Sequence, residues 1–409
     1  MSHSPVLASS PPVQPVTRGI HLLWLGLFRA SRSVAAGLIT IAFPYLVLQQ
    51  AGYGAWELGL LYTAAAISTA GLGLAVGFLS DLWGKKRTLL LVGAMLPVSS
   101  LIAYELHSLF WLFMAAIVGG YSATGSLMGG GVGGAAQPIQ TAIVASLADV
   151  SRRTYYFSLF AFLSGILAAG GALLAKVLTV HAAFAVATVV SLVGLLPLWP
   201  LAVAETRGQF SRMPSFRVIG QFSVTGALNG FSQGLLMPFL IPFFVLVYHL
   251  PEARMATYAF WGGTLASLAL FAAPMLERRL GFVRAIALTR GVGAALILVL
   301  PFWHNLAIAL AIYIVTPALR VAALPAQQTA LTELVSPQET GRALGLNQVT
   351  RLTASAGAVS LTGYSFAASD FALPFVLYAG LMAVNIALYF RFFGSARPIL
   401  QGKPDATAS

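Results

Sequence analysis

The sequence predicts an all-α integral membrane protein of twelve transmembrane helices, arranged as two pseudo-symmetric six-helix bundles. Three observations lead to this fold class: the composition, the spacing of the apolar segments and an internal repeat. Of the 409 residues, 58% are hydrophobic and only 8% are charged, and the mean hydropathy is +0.85. Soluble domains carry about 25% charged residues, so the composition excludes that class.

Apolar segments long enough to cross about 30 Å of hydrocarbon recur along the chain. Most of the 23 lysines and arginines fall in the tails and connections on one side of these segments. Such a bias marks the cytoplasmic side, so we expect a multi-pass protein of the cell (inner) membrane with both termini in the cytoplasm. The segments are 19–49, 55–80, 88–106, 109–148, 155–178, 183–204, 217–248, 255–276, 285–303, 306–334, 343–368 and 371–393.

The second half of the chain repeats features of the first. The segment Gly37–Leu48 resembles Gly234–Leu246, and Gly84 corresponds to Gly281. Corresponding positions late in the two halves are separated by fewer residues than corresponding positions early in them. This difference indicates an insertion in the first half, over Gly125–Gly134. Parallel repeats of this kind form two bundles with a binding site between them.

The tails and the junction between the halves complete the predicted organisation. Residues 1–17 are rich in serine and proline and lack the arrangement of a cleavable signal, which predicts a disordered cytoplasmic tail. The predicted units are that tail, a first bundle over 18–204, a cytoplasmic linker over 205–216, a second bundle over 217–393 and a cytoplasmic tail over 394–409.

A short polar loop joins the second and third apolar segments. Residues 77–87 read G-F-L-S-D-L-W-G-K-K-R. An acid, a helix-breaking glycine and three cations in so short a stretch predict a tight cytoplasmic turn. One interpretation is an ordinary basic connection. The order of residues also resembles the loop between helices two and three of the major facilitator superfamily.

That resemblance implies a transporter that works by alternating access, with the loop acting as a conformational latch between the two bundles. An acid followed by arginine at the end of the fourth segment resembles a second cytoplasmic pattern of the same superfamily. The latch residues implied by the resemblance are Gly77, Asp81, Gly84, Lys85, Lys86, Arg87, Asp149 and Arg153.

Arginines inside the apolar segments are the strongest candidates for contact with a solute. A charge at the bilayer centre costs at least about 2.5–3.5 kcal/mol, so it normally faces protein or a watery cavity. Arg29 and Arg32 share one helix face near the midplane, and Arg320 holds a similar depth in the second half. Bonds to neighbouring helices are the alternative role. The interior arginines are Arg29, Arg32, Arg290, Arg320 and Arg351.

Two of these arginines lie closer to the cytoplasmic side of their segments, where a long side chain can snorkel to the interface. Arg290 is interpreted as structural, whereas both roles stay open for Arg351. Polar residues complete the predicted solute site, although each glutamine can instead form an interhelical hydrogen bond. The predicted substrate-binding set is Arg29, Arg32, Asn229, Gln233, Arg320, Gln137, Gln140, Gln327 and Gln328.

Acidic residues lie at the ends of the apolar segments, in loops and in tails. Export of organic cations coupled to protons usually needs a buried carboxylate, and the sequence places none at the midplane. We therefore expect an anionic or a neutral, amphipathic solute, since arginine pairs with oxygen acids through two hydrogen bonds. We also expect that no acid-to-amide change other than at Asp81, Asp149 or Glu105 abolishes transport.

Other functions are less consistent with the sequence. There are no cysteines and only six scattered histidines, so we expect neither a metal site nor a cofactor, and no residue set is arranged for catalysis. The excess of cations follows the helix ends, which argues against nucleic acid. The expected partners are a small-molecule substrate, the lipid bilayer and protons or another coupling ion, with a monomeric protein. The alternatives are a proton-coupled multidrug or metabolite exporter, and a non-transporting membrane sensor or assembly factor on the same scaffold.

Overall fold

A computed structural model describes residues 15–121, 136–148, 153–203, 216–303, 305–322 and 340–394. All regular structure in these ranges is helical. A π-helical turn over Leu46–Gln50 extends the first helix, and a 3₁₀ turn over Met237–Phe239 joins two others. The α-helices are α1 Pro15–Tyr45, α2 Ala55–Trp83, α3 Lys85–Glu105, α4 Leu109–Gly119, α5 Gln137–Leu147, α6 Arg153–Leu174, α7 Val180–Val193, α8 Phe216–Leu236, α9 Leu240–Tyr248, α10 Glu252–Leu280, α11 Phe282–Val299, α12 Leu306–Ala322, α13 Thr340–Ala367 and α14 Ala372–Phe393.

The helices confirm the predicted fold class. Within the described ranges, 9 helices are long and apolar enough to cross a membrane. Each predicted segment overlaps at least one described helix, and the segment 109–148 contains both α4 and α5. The proposed insertion over Gly125–Gly134 lies outside the described residues.

The turns before α3 and α11 have the same backbone conformation. Gly84 has φ +85° and ψ 152°, and Gly281 has φ +76° and ψ 161°. Side chains with a β-carbon rarely adopt this region, so glycine is required at both turns. The repeat found in the sequence therefore extends to the geometry of the two reversals.

The described helices of the first half of the sequence are α1 to α7, and those of the second half are α8 to α14. In the first half, α1 packs against α6 and α7, and α3 packs against α4 and α7. In the second half, α8 packs against α13 and α14, and α10 packs against α12. The two most extensive contacts between the halves, α2 with α13 and α6 with α10, are called the seams below.

The α2–α13 seam is closest at the end of the molecule opposite Gly84, which is called the far face. A β-carbon added to Gly59 would lie 2.7 Å from the Cα atom of Gly363, so only glycine allows this approach. One turn further along, the hydroxyl oxygens of Thr63 and Ser360 are 2.8 Å apart. These contacts hold the halves together near the far face.

Closer to the Gly84 turn, two positions of α2 are open. Ile67 is 58% exposed, and a β-carbon added to Gly71 would meet no atom within 4 Å. Gly59 and Thr63, by contrast, contact α13. In the described residues, these close contacts of the α2–α13 seam therefore lie near the far face.

Candidate functional site

A chain of polar side chains crosses the interior of the second half. The Arg320 Nη1 atom donates to Gln233 Oε1 at 3.3 Å, and Gln233 Nε2 donates to Asn229 Oδ1 at 3.2 Å. Asn229 and Gln233 are each 2% exposed and lie four residues apart on one face of α8. The structure thus brings three of the predicted site residues into direct contact.

The order of donors along this chain is determined by arginine, which has no acceptor. Gln233 must present its oxygen to Arg320, so its amide nitrogen faces Asn229, and Asn229 receives that bond through its oxygen. The Nδ2 atom of Asn229 is buried and has no hydrogen-bond partner within the described residues, and the same holds for the Nε atom of Arg320. The chain therefore ends in unused donors.

Arg290 lies beside this chain and is held by a second buried network. Its Nη1 atom donates to the Asn385 side-chain oxygen, and Asn385 Nδ2 donates to the Thr225 carbonyl at 2.8 Å. The guanidinium also lies 4.9 Å from the ring centre of Tyr389. Arg290 is 7% exposed, so its side chain stays in the core and does not snorkel, which corrects that part of our expectation.

A cavity of about 20 Å³ separates these groups. Asn229, Gln233, Arg290, Thr316, Arg320 and Tyr378 are among the residues that line it. Pockets for drug-sized ligands are about 300–1,000 Å³, whereas a single water needs about 10–15 Å³. In this conformation, the cavity accommodates a water-sized species and not an organic solute.

The two arginines of α1 occupy different environments, although only three residues separate them. Arg32 is 7% exposed inside the first half, where its Nη1 atom donates to the Gly93 carbonyl at 3.0 Å. Its guanidinium lies 5.3 Å from the ring centre of Phe28. These contacts favour the packing alternative for Arg32.

Arg29 is half-buried and lies next to a seam. Its Nε atom donates to the hydroxyl of Ser164 on α6, and its guanidinium is 5.8 Å from the ring centre of Phe160. Ser164 precedes Gly165, which packs against Ser267 of α10. Arg29 is therefore held beside the junction of the two halves.

The predicted solute residues do not form one cluster in this conformation. We expected Arg32 and Arg320 to contribute to one solute site. Arg32 instead lines a separate cavity of about 10 Å³ between α1, α2, α3 and α4. Gln140 is 5% exposed within α5. The side chain of Gln137 and all of Gln327 and Gln328 lie outside the described residues.

The structure describes only part of the predicted latch. Lys86 Nζ donates to the Trp199 carbonyl at 2.6 Å, a contact within the first half, and Arg87 is exposed. Gly84 forms the turn, and Lys85 begins α3. Gly77, Asp81 and Arg153 lie in helices whose side chains at these positions are outside the described part of the chain, as is all of Asp149.

Among the acidic residues at helix starts on the far face, two act as caps and one does not. Glu57 Oε2 accepts from Gly54 N at 2.9 Å and Asp370 Oδ1 accepts from Leu373 N at 3.1 Å, so both cap helix starts. Glu252 also begins a helix, but its Oε1 atom is buried without a hydrogen-bond partner in the described residues. The sequence alone indicates an ordinary helix-end acid at Glu252, because the burial of its side chain depends on a distant helix.

The distant helix is α1, which meets the far-face end of the second half at Tyr45. The Tyr45 hydroxyl donates to the Leu250 carbonyl at 2.7 Å, and the same side chain lies within electrostatic range of Glu252. Tyr62 of the first half also packs edge-on against Phe239 of the second, with ring centres 6.0 Å apart. Glu252 therefore lies beside contacts that close the far face.

Comparison with known proteins agrees with this architecture. A model of the Major Facilitator Superfamily matches residues 25–351. No curated protein gives a significant match to the sequence.

Several solved structures share the fold at low sequence identity. The human organic anion transporter MFSD10 (TETRAN) is 15% identical with a TM-score of 0.69, covering 93% of this chain and 100% of that one. The nucleoside transporter NupG is 13% identical with a TM-score of 0.69, covering 91% and 99%. A bacterial homologue of the human lysosomal transporter Spinster, inward-facing and occupied, is 16% identical with a TM-score of 0.71, covering 95% and 99%.

Proposed function

The chain belongs to the Major Facilitator Superfamily, and from that premise we propose that it is a secondary active transporter of a small organic solute. Transport proceeds by alternating access, in which the two halves move against each other about a site between them. The favoured solute is anionic, or neutral and amphipathic.

The observation that carries this proposal is the shape of the α2–α13 seam. Contacts at Gly59 and Thr63 join the halves near the far face, whereas Ile67 and Gly71, closer to the Gly84 turn, are open. A seam with its close contacts at the far face corresponds to one of the two end states of alternating access. With the Gly84 turn in the cytoplasm, this state faces inward.

The preference for an anion rests on the charges of the interior. Arg29, at the junction of the halves, is the described cation best placed to meet a solute. A carboxylate, phosphate or sulfonate would recover part of the desolvation cost that a buried guanidinium bears. One structural neighbour is an organic anion transporter, which is consistent with this class.

The remaining features of the proposal follow from the sequence. The protein is a monomer in the cell membrane, with both termini in the cytoplasm. Asp81 and the basic run after Gly84 act as a latch that favours one end state over the other. The polar stretch over 205–216 links the two bundles on the cytoplasmic side.

Direct ligand screening tests the function. Because a ligand that binds the folded state raises its stability, we expect organic anions to raise the melting temperature of the purified protein more than organic cations or sugars do. The 7 tryptophans provide the fluorescence signal. Stabilising anions should then be taken up or released by proteoliposomes. Stabilisation without any flux would instead support the non-transporting sensor.

A proton-coupled exporter is the second candidate, and Glu252 is the observation that favours it. A carboxylate with one buried, unpartnered oxygen beside the far-face contacts can take up a proton in one state and release it in another. Protonation would then bias closure of the far face, because the charged form loses more on burial.

We expect Glu252→Gln to uncouple transport from the proton gradient if this second candidate is correct. Proton-driven flux should fall at least about tenfold, as expected for loss of a coupling group, while solute binding is retained. Flux driven by a solute gradient alone, measured in the same proteoliposomes, is the internal comparison. Glu57→Gln is the matched control, since that acid caps α2 near the same face. Unchanged proton-driven flux in Glu252→Gln would leave the uncoupled anion carrier as the better function.

A further inference from the structure

Three arginines from three helices converge inside the second half. Arg351 of α13 lies within electrostatic range of both Arg290 and Arg320. By helix rise, the three lie roughly 13–24 Å from the far-face ends of their helices. The acids whose side chains the structure describes are all at those far-face ends: Glu57, Glu105, Glu252 and Asp370.

The described carboxylates therefore lie away from Arg320 and Arg351. Arg290 and Arg320 line the cavity of about 20 Å³, and two donors beside it are unused, namely Asn229 Nδ2 and Arg320 Nε. Asn229 is 2% exposed, so water outside the protein does not satisfy its amide. Two cations and unused N–H groups around one void make an environment that favours a negative charge.

The threonine hydroxyls of the cavity do not change this conclusion. Thr316 Oγ1 donates to the Ile312 carbonyl at 2.7 Å, and Thr289 Oγ1 donates to the Ala285 carbonyl at 2.8 Å. Their oxygens accept no hydrogen bond from Asn229 Nδ2 or Arg320 Nε, which have no partner within the described residues. Apolar contact from Met382 completes the wall.

Cavity volume restricts the chemistry of the occupant. A void of about 20 Å³ holds roughly one water-sized species. A halide ion is only slightly larger than water, whereas a carboxylate attached to a carbon skeleton exceeds this volume. We propose that the second half binds a single small inorganic anion of the halide class between Asn229, Arg290 and Arg320.

This site is distinct from the proposed solute site beside Arg29, and it belongs to the state with the far face closed. The anion neutralises the arginine cluster and stabilises the packing of α8, α11, α12 and α14. Transport of the organic solute and binding of the halide are separate events, so each can be present without the other.

Thermal unfolding in different anions tests the proposal. The purified protein is unfolded in sodium chloride, sodium bromide or sodium gluconate at equal ionic strength, with intrinsic tryptophan fluorescence as the signal. Gluconate is too large for the cavity, and Arg29→Gln protein is unfolded in the same three salts to separate binding of gluconate at the proposed solute site from the halide effect. We expect chloride and bromide to raise the melting temperature by about 3 °C or more over gluconate, with a saturable dependence on concentration.

Substitutions in the cavity assign the effect to this site. Asn229→Leu removes an unused donor, and Thr316→Val places a methyl group at the wall, so we expect either variant to reduce the halide effect on melting temperature at least threefold. Thr69→Val is the matched control, because Thr69 is also buried and its hydroxyl donates to Ala65 at 2.8 Å in the first half. Bromide anomalous scattering from crystals should give a peak between Asn229 and Arg320.

Two results would overturn the site. One is equal melting temperatures in halide and gluconate, and the other is a halide effect that persists in Asn229→Leu and Thr316→Val. Because organic anions are screened separately without halide, a solute that binds in that screen while halides have no effect on the melting temperature rejects this site and retains the proposed function. A halide effect in a protein that transports no organic solute retains this site and rejects the proposed function.

Discussion

Oxidation of a Thr63→Cys/Ser360→Cys double variant is expected to stop transport, and reduction is expected to restore it. The two hydroxyl oxygens are 2.8 Å apart across the α2–α13 seam, which places the two side chains close to the geometry that a disulfide requires. A covalent bond there holds the far face closed and removes one of the two states that transport needs. Flux should fall at least about tenfold, as expected when one state is excluded.

No other disulfide can form within the chain in this experiment, because the natural chain has no cysteines. Each single variant, Thr63→Cys and Ser360→Cys, is treated with the same oxidant and should keep its flux. Solute binding measured in detergent should survive the cross-link, since the Gly84 face stays open. If the oxidised double variant transports at the rate of the reduced one, the far-face contacts do not open during the cycle.

The second large effect concerns the neighbouring arginines of α1. We expect Arg29→Gln to weaken binding of an anionic solute by about 2–5 kcal/mol, the range for truncating one partner of a buried charge pair. Arg29→Lys should recover only part of this loss, because lysine lacks the planar fork of guanidinium. Binding is measured by calorimetry on the purified protein, and its melting temperature should change little.

Arg32→Gln provides the matched comparison three residues away. This change removes the bond to the Gly93 carbonyl and the stacking on Phe28, so we expect a stability loss of about 1–3 kcal/mol with unchanged solute affinity. The reverse pattern, with affinity lost in Arg32→Gln and kept in Arg29→Gln, would return the solute site to the interior of the first half.

Local chemistry was predictable from the sequence. The loop after α2 required a tight reversal, and the structure places a left-handed glycine at Gly84 and again at Gly281. The apolar segments predicted the helices closely, because spanning length and apolar composition are properties of a single segment. The repeat was visible because corresponding residues keep the same chemical type in both halves.

The different roles of similar interior residues were not predictable from the sequence. Arg29 and Arg32 share a helix face and have the same chemistry, and their roles differ only because α6 brings Ser164 to one and α3 brings Gly93 to the other. Glu252 has the position of a capping acid, and only the approach of Tyr45 from the other half places it among the far-face contacts.

The sequence by itself determined the class of molecule, its spans, its repeat and the residue types that a solute could meet, because these depend on composition and on spacing along one helix. The tertiary structure alone decided which arginines meet, which donors stay unused and which end of the seam is closed. Those properties depend on contacts between helices far apart in the chain, such as Gln233 with Arg320 and Gly59 with Gly363. Such contacts leave no periodic signal in the sequence, since each partner follows the pattern of its own helix.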